Sequence, residues 1–304
     1  MPKTIFQNAA LFLKKKGNST DKDEESSYRT QSGLSDSSHS RAESISGSDR
    51  PRSRKEEECL LNLQLACQLA GIPASDNTIF RFACYYDFNH DLARKALIER
   101  YDDPHLNLRM EGELVEQFQN LVIFPLPGLM TKNKKHEVLY FHACRHFPAE
   151  MDTNLLIKNV CYVMNEMSLT EEQCRNGVAL IIDLHQWTFK NFTNECSHKF
   201  LKAIQHQVPT KVASVLIVNP PRWFPKVWKM LKKVLSPSFA KRFVILKKQS
   251  QLQDYLMDGY EGYLPMEMAG SQDSTEIVED FVDLKLHVES NQQVDALTAN
   301  EDGW

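Results

Sequence analysis

Residues 219–246 read NPPRWFPKVWKMLKKVLSPSFAKRFVIL, and the fold turns on them. Pro225 suits the first turn of a helix, where its missing N–H costs nothing, and the spacing predicts a helix from about 225 to 235. At about 100° per residue, Val227, Trp228, Met230, Leu231, Val234 and Leu235 fill one arc and Lys226, Lys229, Lys232 and Lys233 the opposite one. ASVLIV (213–218) and RFVIL (242–246) flank this helix, and short runs of branched and aromatic residues suit strands buried on both faces. Strand, amphipathic helix and strand make one parallel crossover.

The same rhythm extends upstream. NLVIF (120–124), EVLYFH (137–142) and GVALIIDL (177–184) predict further strands, and helical patterns at 152–166 and about 195–207 separate the later ones. The expected class is α/β with a mostly parallel sheet, over 112–272. A small helical unit at 56–111 precedes it. There EEECLLNLQLACQLAG places Leu61, Leu65 and Leu69 at helical spacing and stops at Gly71. SDNTIFRFACYYDF and NHDLARKALIERY predict two short helices, with Asn89 as an N-cap.

The 304 residues carry 36 Lys and Arg against 40 Asp and Glu, a net −4, and 42% of them are hydrophobic, enough for a sizeable core. A global basic footprint is absent, which argues against a nucleic-acid binder. No apolar run approaches the roughly 18 residues of a membrane span. Seven cysteines without paired spacing or a secretory signal read as reduced thiols in a cytosolic protein. Charge is unevenly spread. Lys211–Gln249 holds ten basic residues and no acid, whereas 273–304 holds nine acids against Lys285 alone and reads as a solvated, mobile acidic tail with a strand-like stretch, IVEDFVDLKLHV. Residues 17–55, with twelve serines, have too little apolar surface to offset ordering and are expected to be disordered. Residues 1–16 predict a short basic amphipathic helix, Ile5 to Leu13 followed by three lysines, that suits a weak interfacial anchor.

Enzymatic machinery is hard to find: GxxxxGK[ST], GxGxxG after a strand, GxSxG and HExxH are all missing. DFNHD (87–91) has calcium-loop spacing, but Leu92 stands where glycine is needed and Ile98 where the bidentate Glu belongs, so capping is the better account. His142, Cys144 and His146 alternate and would share one side of an extended strand, yet no fourth ligand is in view. Asp183, at the end of an apolar strand, is expected to hydrogen-bond the neighbouring loop. The one-sign field around 211–249 points to an anionic partner, a lipid head group or anionic membrane. Nucleic acid fits poorly, because Trp223, Phe224 and Trp228 lie mainly on the apolar side, the wrong face for stacking on bases.

Over about 58–270 the chain resembles the CRAL-TRIO lipid-binding family. TIFRFACYYDFNHDLARKAL sits where the family has its Arg-Phe helix pair, and GVALIIDLHQWTFKNF matches its apolar strand ending in Asp. VPTKVASVLIVNPPRWFPKVWKMLKKVLSPSFAKRFVIL matches the later series of strand, gate helix and strand, and LPMEMAG (264–270) its closing motif. CRNGVALIIDL also resembles the lipid-binding module of a cytosolic tyrosine phosphatase, although no phosphatase domain follows it here. The resemblance implies an apolar pocket between sheet and gate helix, with Trp187, Phe189, Phe192, Leu201, Ile204, Val218, Phe224, Trp228, Leu231 and Phe243 as candidate lining. Arg222, Lys226, Lys229, Lys232, Lys233, Lys241 and Arg242 are the candidate head-group or membrane contacts. Members that bind phosphatidylinositol use charged groups at three positions that correspond here to Tyr86, Thr210 and Arg242; only the last keeps its charge.

The expectation is a non-catalytic cytosolic protein, peripheral at membranes, that takes no cofactor and binds or transfers a phospholipid or other small lipid. The alternative is an interaction module of the same fold, with protein partners met through the N-terminal segment and acidic tail. A large apolar cavity under the gate helix marks the carrier; a filled one marks the module. An enzyme would need a site around His142, Cys144 and His146.

Overall fold

The computed structural model describes residues 51–301. The expected helix at 1–16 and nearly all of the disordered stretch at 17–55 fall outside them. From Arg54 three helices form a small unit: α1 (Arg54–Ala70), α2 (Asp76–Tyr85) and α3 (His90–Arg100). Side chains of Ser53, Ser75 and Asn89 cap them, satisfying N–H groups that have no partner within the helix. Gly71, at φ 69°, ends α1 in a left-handed conformation.

The first helix is present as expected, but the leucines that mark its spacing are not the ones it buries. Leu60, Leu63 and Cys67 of α1 are buried, whereas Leu61, Leu65 and Leu69 stand 66%, 52% and 82% exposed. A helix this rich in leucine carries two apolar stripes on nearly opposite sides, and the packing of α1 on α2 and α3 selects the one that also holds the small Cys59 and Cys67. Arg175 joins this unit to the sheet domain. Its guanidinium pairs with the buried Glu56 at 2.5 Å and lies over the rings of Phe80 (5.1 Å) and Phe88 (5.5 Å).

The domain that follows is built on five strands in the order β1-β2-β3-β4-β5. They are β1 (Ile123–Met130), β2 (Glu137–His142), β3 (Val178–Asp183), β4 (Val212–Val218) and β5 (Phe243–Leu246). β1 runs antiparallel to β2 and the rest are parallel. It starts later than NLVIF implied and holds Pro125 and Pro127, tolerable because an edge strand leaves one side of its backbone unpaired. Helix α4 (Glu113–Gln119) precedes it. Each parallel step passes through helix: α5 (Thr153–Glu166) and α6 (Glu171–Asn176), then α7 (Asn194–Lys202), then α8 (Phe224–Leu231) and α9 (Pro237–Ala240). Lateral pairing sets Phe141, Ile182 and Ile217 in one row and His142, Asp183 and Val218 in the next. Because side chains alternate along a strand, the two rows face opposite sides of the sheet.

The acidic C-terminal stretch is a helix, α10 (Ser274–Glu301), neither a mobile tail nor a strand. Ile277, Val278 and Val282 are buried, and Phe281 packs on Phe118 (5.5 Å) and Tyr162 (6.3 Å). Lys285 pairs with Glu166 at 2.6 Å, and Glu289 accepts from the Met110 N–H and the Tyr162 hydroxyl. Net charge hides this docking, because the four apolar residues at 277, 278, 281 and 282 occupy one helical stripe.

Two stability tests follow from these contacts. Arg175 beside Glu56 pulls its carboxyl down to about 2. A depressed carboxylate stabilises the fold above its unfolded value, and the contribution disappears as pH falls through the folded value. Glu56→Gln should therefore cost about 1–3 kcal/mol near neutral pH in denaturant titrations, with the deficit shrinking between about pH 4.5 and pH 2. Phe281→Ala should cost about 2 kcal/mol, less than a fully buried Phe because the ring is half-buried; a loss under about 0.5 kcal/mol would contradict a docked α10.

Candidate functional site

A cavity lies between the Phe141–Ile182–Ile217 face of the sheet, α7 and the underside of α8. Its walls are almost wholly apolar. Of the expected lining residues, Trp187, Leu201, Phe224, Trp228, Leu231 and Phe243 do border it. Phe192 stands behind Trp187, edge-on at 5.6 Å, and Phe189 is exposed, stacked on Trp223 at 4.3 Å. Ile204 is buried in the core at a wide helical turn (Ala203–Gln207) after α7, away from the cavity. Val218 belongs to the row on the reverse face of the sheet, so strand alternation excludes it. The same alternation gives Phe141, Ile182 and Ile217, which the sequence reading missed although their period-2 spacing marks them.

Space for water-sized occupants comes to about 80 Å³, within about 630 Å³ of unfilled volume counted out to solvent. Small-molecule sites run to roughly 300–1,000 Å³, so a ligand of that size does not fit the cavity as it stands. Both ends of α8 depart from regular helix. Asn219, at φ 53°, with Pro220 and Pro221, precedes it. Beyond Leu231 the α-helix gives way to tight turns, Lys233 to Met230, Val234 to Leu231 and Leu235 to Lys232. The helix expected to reach 235 thus stops at 231, which leaves Val234 exposed.

On the outside of this region Arg222, Lys226, Lys229, Lys232, Lys233 and Lys241 are exposed, and none pairs with a carboxylate among the described residues. Arg242 is the exception to the expected head-group set: its guanidinium donates to the Val212 carbonyl and lies 5.5 Å from the Phe239 ring. Thr210 is buried, with its hydroxyl bonded to the Met164 carbonyl and Ser168. Tyr86 packs edge-on against Tyr85 at 5.1 Å. Neither Tyr86 nor Thr210 offers a charge to a phosphorylated head group.

The remaining polar candidates resolve into structure. Asp183 is fully buried and accepts from the Tyr140 hydroxyl (3.2 Å), Asn219 Nδ2 (2.9 Å) and the His185 N–H (2.9 Å), tying the ends of three strands together. Residues 143–145 form a tight turn rather than extended strand, so His142, Cys144 and His146 do not share a face. His142 accepts from Arg145, while His146 Nε2 lies 3.3 Å from Cys196 Sγ, and burial pushes the His146 imidazole down to about 4. Asn89 caps α3 and Asp87 pairs with Lys211, as capping rather than calcium binding requires.

Residues 123–260 match the model of the CRAL/TRIO domain. Tyrosine-protein phosphatase non-receptor type 9 of mouse, rat and human is 24% identical over 136 residues, 43% of this chain and 23% of the phosphatase. The chain thus spans about a quarter of those relatives' length. The crystal structure of Sfh5 superposes with a TM-score of 0.51 at 16% identity, over 81% of this chain and 99% of that one. The α/β arrangement with its mostly parallel sheet is the fold of that structure, and residues 123–260, a little under half of the chain, are similar to the CRAL/TRIO domain.

Proposed function

We propose that this protein is a non-catalytic lipid carrier of the cytoplasm, holding a hydrophobic ligand beneath α8 and exchanging it at anionic membrane surfaces. One observation carries the reading: α8 is apolar toward a cavity and cationic toward solvent. Apolar burial supplies the affinity, at roughly 0.8 kcal/mol per methylene. Each exposed lysine near an anionic surface adds roughly 1 kcal/mol, less at high salt. An outward swing of α8 then exposes Trp228 and Leu231 where lipid replaces water, so docking and opening favour one another. Phosphoinositide recognition in the family's usual seat is disfavoured by Tyr86 and Thr210.

A second reading, an interaction module with little ligand capacity, is favoured by the cavity's size of about 80 Å³. The two part on one experiment. The full chain is incubated with a cell lipid extract, re-purified, and its bound lipids are identified by mass spectrometry. The carrier retains one lipid class near one per protein; a folded, monodisperse sample that retains nothing supports the module.

The cationic face is tested separately. Lys226→Glu, Lys229→Glu and Lys233→Glu combined should weaken binding to phosphatidylcholine vesicles containing phosphatidylserine by about a hundredfold or more in sedimentation assays. Equal binding of the wild type to pure phosphatidylcholine would contradict the electrostatic account.

A further inference from the structure

We propose that Ser250 is a phosphorylation site, read by a kinase through Lys247 and Lys248, and that its phosphate weakens docking at anionic membranes; this second half rests on the membrane reading above. KKQS (247–250) follows β5, and the cationic face of α8 leaves both lysines unused. Lys247, Lys248, Ser250 and Gln251 are exposed, and neither lysine pairs with a carboxylate among the described residues. The Ser250 hydroxyl has no hydrogen-bond partner among them either, unlike the neighbouring Lys248 N–H and Gln249 amide. β5 lies at the edge of the sheet, and the backbone is still extended at Lys248, with φ −132° and ψ 139°. No residue from Lys247 to Gln251 is buried; Leu252, just beyond, is held in the core. Entry of 247–251 into a kinase cleft therefore needs only local opening of the exposed start of the tight turn Gln249–Asp254. Ser238 is also exposed in the acid-free stretch, but Phe239 beside it is buried against Phe243, and Ser236 is occupied in capping α9.

Charge selects the enzyme. The ten basic residues of 211–249 meet no acid, and the nearest one downstream is Asp254, so the approach suits a kinase with an acidic substrate groove. In the transfer, Ser250 Oγ bonds to the γ-phosphorus of ATP while the bond from that phosphorus to the β,γ-bridging oxygen breaks. ADP leaves, and the hydroxyl proton passes to the kinase's catalytic carboxylate. The product carries a charge of about −1.5 to −2 at pH 7. Its place in the fold decides what that charge does. Val218 and Leu246 pair laterally, so the chain leaves β4 toward α8 and leaves β5 toward Ser250 at neighbouring points. The phosphate thus joins the rim at the entry to α8, near Arg222, Lys247 and Lys248. Each cation near an anionic surface is worth roughly fivefold in affinity, so one phosphate cancels about ten- to thirtyfold.

The full chain is incubated with ATP and the catalytic subunit of cyclic-AMP-dependent protein kinase, and phosphates are located by peptide mass spectrometry. Ser250 should take up close to one phosphate per chain, and Lys247→Ala with Lys248→Ala should slow that transfer about tenfold. Sedimentation with phosphatidylcholine vesicles containing phosphatidylserine then reads the consequence. The treated wild type should bind about ten- to thirtyfold more weakly than the untreated, and Ser250→Glu about fivefold more weakly. Ser250→Ala treated in parallel carries whatever phosphates other serines accept, and should lose far less. The difference should narrow as salt is raised, which a damaged fold would not show. An unmodified Ser250, under conditions where a standard peptide substrate is fully phosphorylated, overturns the site and leaves the membrane reading standing. A phosphorylated Ser250 with unchanged vesicle binding overturns the switch alone. Untreated wild type that shows no preference for phosphatidylserine over pure phosphatidylcholine overturns the membrane reading, and the switch falls with it.

Discussion

Parallel pairing of β2, β3 and β4 sets Phe141, Ile182 and Ile217 side by side, and much of the domain follows from that register. A row of large apolar side chains on one face of a twisted sheet must be covered, and α7 and α8 cover it. The next residues along, His142, Asp183 and Val218, are obliged by alternation to face the other way. Asp183 there joins the carboxyl ends of neighbouring strands through Tyr140 and Asn219. A slip of one residue would turn Asp183 into the cavity and Ile182 out of it, so the hydrophobic pattern enforces the register. The cavity is the space this cover leaves unfilled.

Coverage by α8 is of a particular kind. Protein surfaces usually intersperse charges of both signs. Here the outer face is lysine alone, the entry is Asn219-Pro220-Pro221 and the exit loosens into tight turns. Phe224, Trp228 and Leu231 nevertheless hold it down by apolar contact. Apolar contact is non-directional, and lipid can replace it where a specific ion pair would have to be broken. The proposed exchange of lipid at an anionic surface rests on this difference.

Most of this architecture was legible in the sequence, because short runs of branched residues separated by helical spacing are a strong signal for buried parallel strands. The strand-helix-strand unit at 213–246 and the capping role of Asn89 came from such local patterns. The errors share a cause, in that tertiary packing chose between locally equivalent options. On α1, two leucine stripes were available, and the partner helices took the one without Leu61, Leu65 and Leu69. In α10, charge counting outweighed Ile277, Val278, Phe281 and Val282, whose stripe docks the helix. For the site, apolar character was a fair guide to Trp187, Phe224 and Trp228 but misled at Phe189, Phe192, Val218 and Ile204, where position on the sheet, turn or helix decides. The His146–Cys196 contact joins residues fifty apart, and no local pattern marks it.

Outward movement of α8 is the central claim, and hydrogen exchange reads it most directly. Amides of 224–235 should exchange well before those of β3 and β4 in the free protein, exchange faster still on anionic vesicles, and slow when lipid is bound in solution. Exchange across 224–235 as slow as in the sheet, and unchanged by vesicles or lipid, would contradict the account and leave α8 a fixed part of the core.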